Sequence, residues 1–235
     1  MSPFYSSPLL QDADIVLHSL SKFINGHTDV VMGAIILPKH HTALYERLAF
    51  RQIAVGAIPS AYDSWLAQRG AKTLHLRMKE HGRNALLVAR ALEKSPYVKE
   101  VIYPGLVSHP RHEVARRSLS SHAARFVETE SEQNPDGSFP YGGMVSFRIR
   151  GGLEEAQRFL GAIRVFTHAA SLGSVESLAS LPALMSHGDI PPAERAILGI
   201  GDDLIRLSVG IEEGADLLWD IGQALREAVE GTSGA

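Results

Sequence analysis

Ala13-Asp-Ile-Val-Leu-His-Ser-Leu-Ser-Lys22-Phe-Ile-Asn-Gly-His-Thr-Asp-Val-Val-Met-Gly33 is the stretch whose reading decides the fold. Residues 15–19 form a short run rich in β-formers, and residues 30–37 a second one nearly unbroken by polar side chains. Both are predicted to be strands buried on two faces. Between them, Asn25-Gly26 signals a turn. The polar side chains of this loop therefore stand at strand ends, where sites are usually built.

Working outward, residues 42–54 and 59–69 read as helices, the second with proline in its first turn and Gly70 just past its end. Residues 74–94 form a longer helix, stopped by Ser95-Pro96 and locally weakened by Gly82. From there the pattern changes. Short strands are predicted at 98–103, 144–149, 165–171 and 204–209, interleaved with helices. The helix over 153–163 and the last helix, through Leu218, Ile221, Leu225 and Val229, each carry one apolar stripe to bury against a sheet. That is an α+β layer, and the domain change is placed near the start of the long helix. Residues 121–143 are polar and rich in turn formers, so they are predicted to be an exposed insertion.

Composition narrows the function classes. The chain has 235 residues, 45% hydrophobic and 21% charged, which fits a folded globular protein. Lys+Arg 23 against Asp+Glu 26 gives a net charge of −3 with no basic block, so nucleic acid is an unsuited partner. No apolar run approaches the roughly 20 residues of a membrane span. Cysteine is absent, which removes disulfides, thiolate metal sites and cysteine nucleophiles and points to a reducing, aqueous compartment.

The densest polar cluster is His18-Ser19-Leu20-Ser21-Lys22. Ser19-x-x-Lys22 matches the serine-nucleophile signature of penicillin-binding enzymes, but their companion Ser-Asp-Asn and Lys-Thr-Gly motifs are missing. A lysine here can instead condense with the aldehyde of pyridoxal phosphate, with the Ser19 and Ser21 hydroxyls turned to the cofactor phosphate. A surface lysine at a strand end is the commoner case, and from these residues alone both readings stand. In residues 204–209, Ile205, Leu207 and Val209 share one face and Leu204, Arg206 and Ser208 the other. The Arg206 guanidinium thus needs an acidic partner, either a structural carboxylate or the α-carboxylate of an amino acid gripped by two parallel hydrogen bonds. The 11 histidines show no metal-binding spacing, so no metal is expected and loop or helix-surface positions are. Gly199-Ile-Gly-Asp-Asp-Leu lacks a third fingerprint glycine and reads as a turn.

Over its whole length, the run from Ala13 to Gly33 resembles the lysine signature of the cysteine and methionine metabolism family of pyridoxal phosphate enzymes. The resemblance continues through Arg69-Gly-Ala-Lys-Thr-Leu-His-Leu-Arg-Met78, Val101-Ile-Tyr-Pro-Gly-Leu106, Ala170-Ser-Leu-Gly-Ser-Val-Glu-Ser-Leu178 and Leu204-Ile-Arg-Leu-Ser-Val-Gly210, so it covers almost the whole chain. It implies an α/β protein: the C-terminal portion of a fold-type I transferase large domain over residues 1–73, then a small α+β domain with an antiparallel sheet over 74–235. It implies pyridoxal 5'-phosphate bound to Lys22, with Ser19 and Ser21 on its phosphate. Arg206 becomes the carboxylate-binding arginine, with Ser171 beside it and Ser186 supporting it.

The implied partner is a small-molecule amino-acid substrate, and the implied setting a cytoplasmic homotetramer when full length. The implied reaction is trans-sulfuration lysis of cystathionine to cysteine, 2-oxobutanoate and ammonia. One departure keeps other reactions open. Ala170 stands where many γ-acting members carry glutamate, so the family's β-lyases, γ-synthases and methionine γ-lyases remain alternatives. The phosphate-cradling glycine loop, the ring-stacking aromatic and the aspartate for the pyridine nitrogen are not recognisable before Ser19. The chain is therefore expected to be truncated, and a non-catalytic fragment that binds intact subunits is the rival from another class.

Overall fold

In the computed structural model, which describes residues 2–231, the two apolar runs around Lys22 form β1 (Val16–Ser19) and β2 (Gly33–Ile36). They pair antiparallel, with Ser19 opposite Gly33 and Val16 opposite Ile36. Contrary to expectation, neither strand is covered on both sides. Leu17 is 75% exposed and Ile35 53% exposed, because no further strand of the described residues flanks this ribbon.

Two helices follow, α1 (Thr42–Ala54), where the periodicity places it, and α2 (Ala61–Ala71). The second starts two residues later than predicted. Ser60 is its N-cap and accepts from the Asp63 N–H at 3.0 Å, so Pro59 precedes the helix rather than lying in its first turn. Gly70 is inside the helix, and a Cβ there would overlap the Asn25 backbone, so glycine is required by packing and not by a C-cap.

The long helix α3 (Leu74–Lys94) runs into the sheet layer. Then come β3 (Val98–Ile102), α4 (His112–Arg117), α5 (Ser121–Thr129), β4 (Met144–Ile149), α6 (Leu153–Ala162), β5 (Thr167–His168), β6 (Leu178–Ser180), α7 (Pro192–Ile197), β7 (Leu204–Ser208) and α8 (Gly214–Glu230). The five strands lie in the order β3-β4-β7-β6-β5. The sheet is antiparallel, as expected, apart from the short β5–β6 pair at its edge, which is parallel and makes the sheet mixed. The strand expected over 165–171 is cut to two residues, and β6 was not anticipated.

Alternation along β4 and β7 decides which face holds the core. Val145, Phe147, Ile149, Ile205 and Leu207 are fully buried under α3, α6 and α8, and Phe147 meets Phe159 of α6 edge-on at 5.5 Å. Burying such a side chain contributes about 1.5–3 kcal/mol. Ser146, Arg206 and Ser180, which are opposite one another in register, lie on the other face.

Residues 121–143 are not an exposed insertion. Ala123, Phe126 and Val127 of α5 are buried, and Phe126 joins Phe4, Tyr5, Phe23 and Met78 in a second core cluster. The polar residues are buried because they are paired: Arg83 reaches Glu130 at 2.8 Å and Arg90 reaches Asn134 Oδ1 at 2.7 Å.

Candidate functional site

Lys22 sits where β1 ends, in a wide helical turn over Leu20–Ile24. Its backbone is held by the Gly26 N–H donating to Lys22 O at 2.8 Å and the Asn25 N–H donating to Leu20 O at 2.9 Å. Leu20 N–H also reaches across to Met32 O at 2.8 Å, fixing the turn against the entry to β2. The lysine side chain is half-buried. Its Nζ donates to Ser171 Oγ at 3.1 Å, and among the described residues no carboxylate pairs with it.

The two serines that flank the lysine have different situations. Ser21 Oγ accepts from Met32 N–H at 2.9 Å and donates to Met32 O at 3.4 Å, so its hydroxyl braces the turn. Ser19 is exposed, and no hydrogen bond of its hydroxyl is formed among the described residues, which leaves it open to a ligand.

Ser171 belongs to the loop between β5 and β6, which is threaded over the lysine turn. Gly173 N–H donates to Ser208 Oγ at 2.7 Å, and Val175 N–H donates to Gly26 O at 2.9 Å. Gly173 has φ of +80°, and a Cβ there would stand 2.7 Å from the Phe23 nitrogen and 3.0 Å from Lys22 Cβ. Only glycine combines that conformation with that approach. One loop thus touches both Lys22 and β7, the strand of Arg206.

Arg206 points away from the apolar core face, as its alternation predicts. It is half-buried, forms no ion pair among the described residues, and its Nε is buried without a hydrogen-bond partner. Burial pushes the guanidinium pKa below its usual value. A half-buried guanidinium with no carboxylate partner among the described residues can take up an anion on its remaining donors. Ser171 and Ser186 are not its hydrogen-bond partners. Ser171 holds Lys22, and Ser186 is exposed and shares a 2.7 Å hydrogen bond with His187 Nδ1.

Sequence reasoning missed Arg77. This residue of α3 is 5% exposed and donates from Nη1 to Phe23 O at 2.7 Å, from Nη2 to Ile24 O at 3.0 Å and Gly70 O at 2.8 Å, and from Nε to Thr73 Oγ1 at 3.0 Å. It therefore clamps the two residues that follow Lys22 onto the ends of α2 and α3. Gly26, with φ of +76°, has its Cβ position filled by the same guanidinium. The signal was the Arg69-to-Met78 run itself, in which an arginine interrupts an apolar stripe.

His81 was misjudged as a surface histidine. It is fully buried, its ring lies edge-on to Phe23 at 5.1 Å, and its Nδ1 is 2.7 Å from Val209 O. Burial, countered by that carbonyl and reinforced by Arg77, lowers its pKa to about 4.

Comparison with known proteins adds a family to this geometry. A family model described as Cys/Met metabolism PLP-dependent enzyme matches residues 1–226. A cystathionine gamma-lyase of Dictyostelium discoideum is 48% identical over 225 residues, covering 96% of this chain and 53% of the relative. That of Rattus norvegicus is 48% identical over 228 residues, covering 97% and 52%. Among solved structures, cystathionine gamma-lyase from yeast is similar with a TM-score of 0.85 at 46% identity, over 97% of this chain and 53% of that one. A cystathionine gamma synthase from Xanthomonas oryzae pv. oryzae gives a TM-score of 0.86 at 38% identity, over 98% and 54%. The chain spans about half the length of the relatives it matches.

Proposed function

The chain belongs to the Cys/Met metabolism family of PLP-dependent enzymes, and from that premise we propose that it carries the lysine and carboxylate-binding parts of a trans-sulfuration lyase that cleaves cystathionine to cysteine, 2-oxobutanoate and ammonia. The observation that carries this reading is the 3.1 Å hydrogen bond from Lys22 Nζ to Ser171 Oγ. It joins residues 149 apart in sequence, and the loop that provides Ser171 also bonds to β7, where Arg206 has a free anion-binding face. Support for lysis comes from the curated γ-lyase relatives at 48% identity, while solved structures of a γ-lyase and a γ-synthase are alike 38% identical.

The cofactor of the family is pyridoxal 5'-phosphate. The donor set fits its aldehyde and phosphate: a primary amine without a carboxylate partner among the described residues at Lys22 and an open hydroxyl at Ser19. Ser21, whose hydroxyl is engaged by Met32, braces the turn instead of reaching the phosphate. When bound, the cofactor supplies an electron sink for charge that develops at the α-carbon of the amino acid. Arg206 receives the α-carboxylate through parallel N–H donors and fixes which bond of the α-carbon faces Lys22. Lys22 Nζ would take up the α-proton as base and, once protonated, would act as acid toward the departing thiolate, and Ser171 keeps that nitrogen aimed while it does so.

We extend the proposal to the surroundings of the site. Residues 1–73 form the end of a cofactor-binding large domain and 74–235 the small domain. Support comes from the sheet core, which draws no buried residue from before α3. Assembly into a homotetramer has its support in the apolar row Tyr45, Phe50, Ile53, Val55, Tyr62 and Trp65 along α1 and α2, all more than half exposed. A cytoplasmic setting has its support in a chain with no cysteine, and no helix of the described residues is long and apolar enough to cross a membrane.

The test is chemical. The protein is incubated with pyridoxal phosphate, reduced with borohydride and peptide-mapped, and the label is expected on Lys22. A label on Lys39 or Lys72 overturns the assignment. With cystathionine, release of 2-oxobutanoate with cysteine supports γ-cleavage, whereas pyruvate with homocysteine identifies β-cleavage. Absence of both products in protein labelled at Lys22 favours a non-catalytic part that works with other subunits.

A further inference from the structure

Two buried polar atoms near the anion site have no hydrogen-bond partner: Arg206 Nε and Ser180 Oγ. They belong to residues that face each other across the sheet. In the β6–β7 ladder Ser180 is opposite Arg206, so both side chains emerge on the same face. Directly opposed residues of an antiparallel pair hold their Cβ atoms about 4.5–5.5 Å apart. A serine hydroxyl swings through its χ1 wells, and an arginine Nε sits two carbons beyond Cβ, so rotation alone brings the pair into contact.

Neither atom is reachable by solvent or by a ligand, since both are covered, and Ser180 as a whole is 3% exposed. Leaving a buried donor and a buried acceptor both unpaired is unfavourable. The two are chemically complementary: Nε–H is a donor only, and the hydroxyl can accept. On the opposite flank, Ser146 of β4 pairs with the same arginine, but it is half-buried and its hydroxyl is not among the orphaned atoms.

We propose that Ser180 is the positioning residue of the carboxylate site: its hydroxyl accepts the Arg206 Nε–H when a carboxylate engages the Nη pair, and so holds the guanidinium plane in one orientation. This rests on the reading of Arg206 as the carboxylate-binding residue. Fixing Nε restricts rotation about the last side-chain bonds, which holds the plane of the rigid Nη fork in the one orientation that a bidentate carboxylate contact needs. A serine so placed sets affinity for the amino acid's carboxylate and leaves the bond-breaking step to Lys22.

The experiment follows the Arg206 Nε–H signal by 15N NMR in the full chain with pyridoxal phosphate, identified by its disappearance in Arg206→Lys, during titration with L-cystathionine. Expected is a signal that shifts and whose solvent exchange slows as the ligand binds. In Ser180→Ala the slowing is lost and the apparent dissociation constant rises about fivefold, the factor of one net hydrogen bond. Ser180→Thr, which keeps the hydroxyl in a strand-compatible side chain, restores both, and Ser146→Ala changes neither. A Ser180→Ala signal that still slows overturns the role of Ser180 while Arg206 stands. A wild-type signal that does not respond to the amino acid overturns the carboxylate assignment of Arg206 and this inference with it. If Ser180→Ala does not fold, the Ser180→Thr and Ser146→Ala arms decide: protection lost with the hydroxyl still present, or lost on removing Ser146, refutes the proposal.

Discussion

Replacing Arg77 by Met should release the turn that holds Lys22. The native guanidinium makes three hydrogen bonds to carbonyls, of Phe23, Ile24 and Gly70, at 2.7–3.0 Å, and a fourth to Thr73 Oγ1. Bonds from a charged donor are worth about 1.5–3 kcal/mol each. Their sum overstates the loss, because burial of the cation is itself unfavourable, as the lowered pKa of Arg77 records. Methionine fills much of the space but satisfies none of the carbonyls. A net loss of about 3 kcal/mol follows, which for a chain of this length lowers Tm by about 6–12 °C. Thermal melting by circular dichroism measures that, and amide exchange locates it. The Gly26 N–H, donated to Lys22 O, should exchange faster, while amides of β4 and β7 keep their protection relative to the new global stability. Arg77→Lys, with one ammonium in place of a fork, should recover less than half of the loss. A Tm drop under about 2 °C, or Gly26 exchange unchanged, would refute the clamp.

Two further predictions concern the same helix. His81 has its pKa lowered to about 4 in the folded protein against 6.5 for a free imidazole. Above pH 6.5 the ring is neutral in both states and stability is fully present. As pH falls from 6.5 to about 4 only the unfolded chain takes up the proton, and on the order of 3 kcal/mol is lost. Urea midpoints for the wild type and His81→Gln across that window check this, with a shallower pH slope expected in the variant and equal slopes counting against it. Gly82→Ala should destabilise by about 1–2 kcal/mol despite a gain of about 1 kcal/mol in helix propensity. A Cβ there would overlap Tyr5 Oη and stand 2.9 Å from Pro140 Cβ, with Tyr5 fully buried. A variant more stable than the wild type in denaturant titration would show that Tyr5 yields at no cost.

What the sequence disclosed, and what it withheld, follows from where each residue's meaning is stored. The place of Lys22 at the end of β1 was legible because the strand and its turn lie within one contiguous run, and the face of Arg206 because β7 alternates strictly, so the odd side chain could be assigned to a face without knowing its neighbours. The clamp of Arg77 on the lysine turn and the register of Ser180 opposite Arg206 were not, since Ile24 lies 53 positions from Arg77, and the two contacts exist only once α3 docks on the lysine turn and β6 enters the sheet. The three residues of β6 are all buried and show no alternation, so periodicity had nothing to detect. The polar stretch over 121–143 misled for a related reason. Composition reports the chemistry of side chains but not whether they are paired, and Glu130 and Asn134 are buried against arginines from α3. The ribbon of β1 and β2 gives the converse case. Its runs are apolar on both faces, a pattern that calls for cover on both, whereas the described residues supply it on one, so Leu17 and Ile35 stand exposed where periodicity predicts burial.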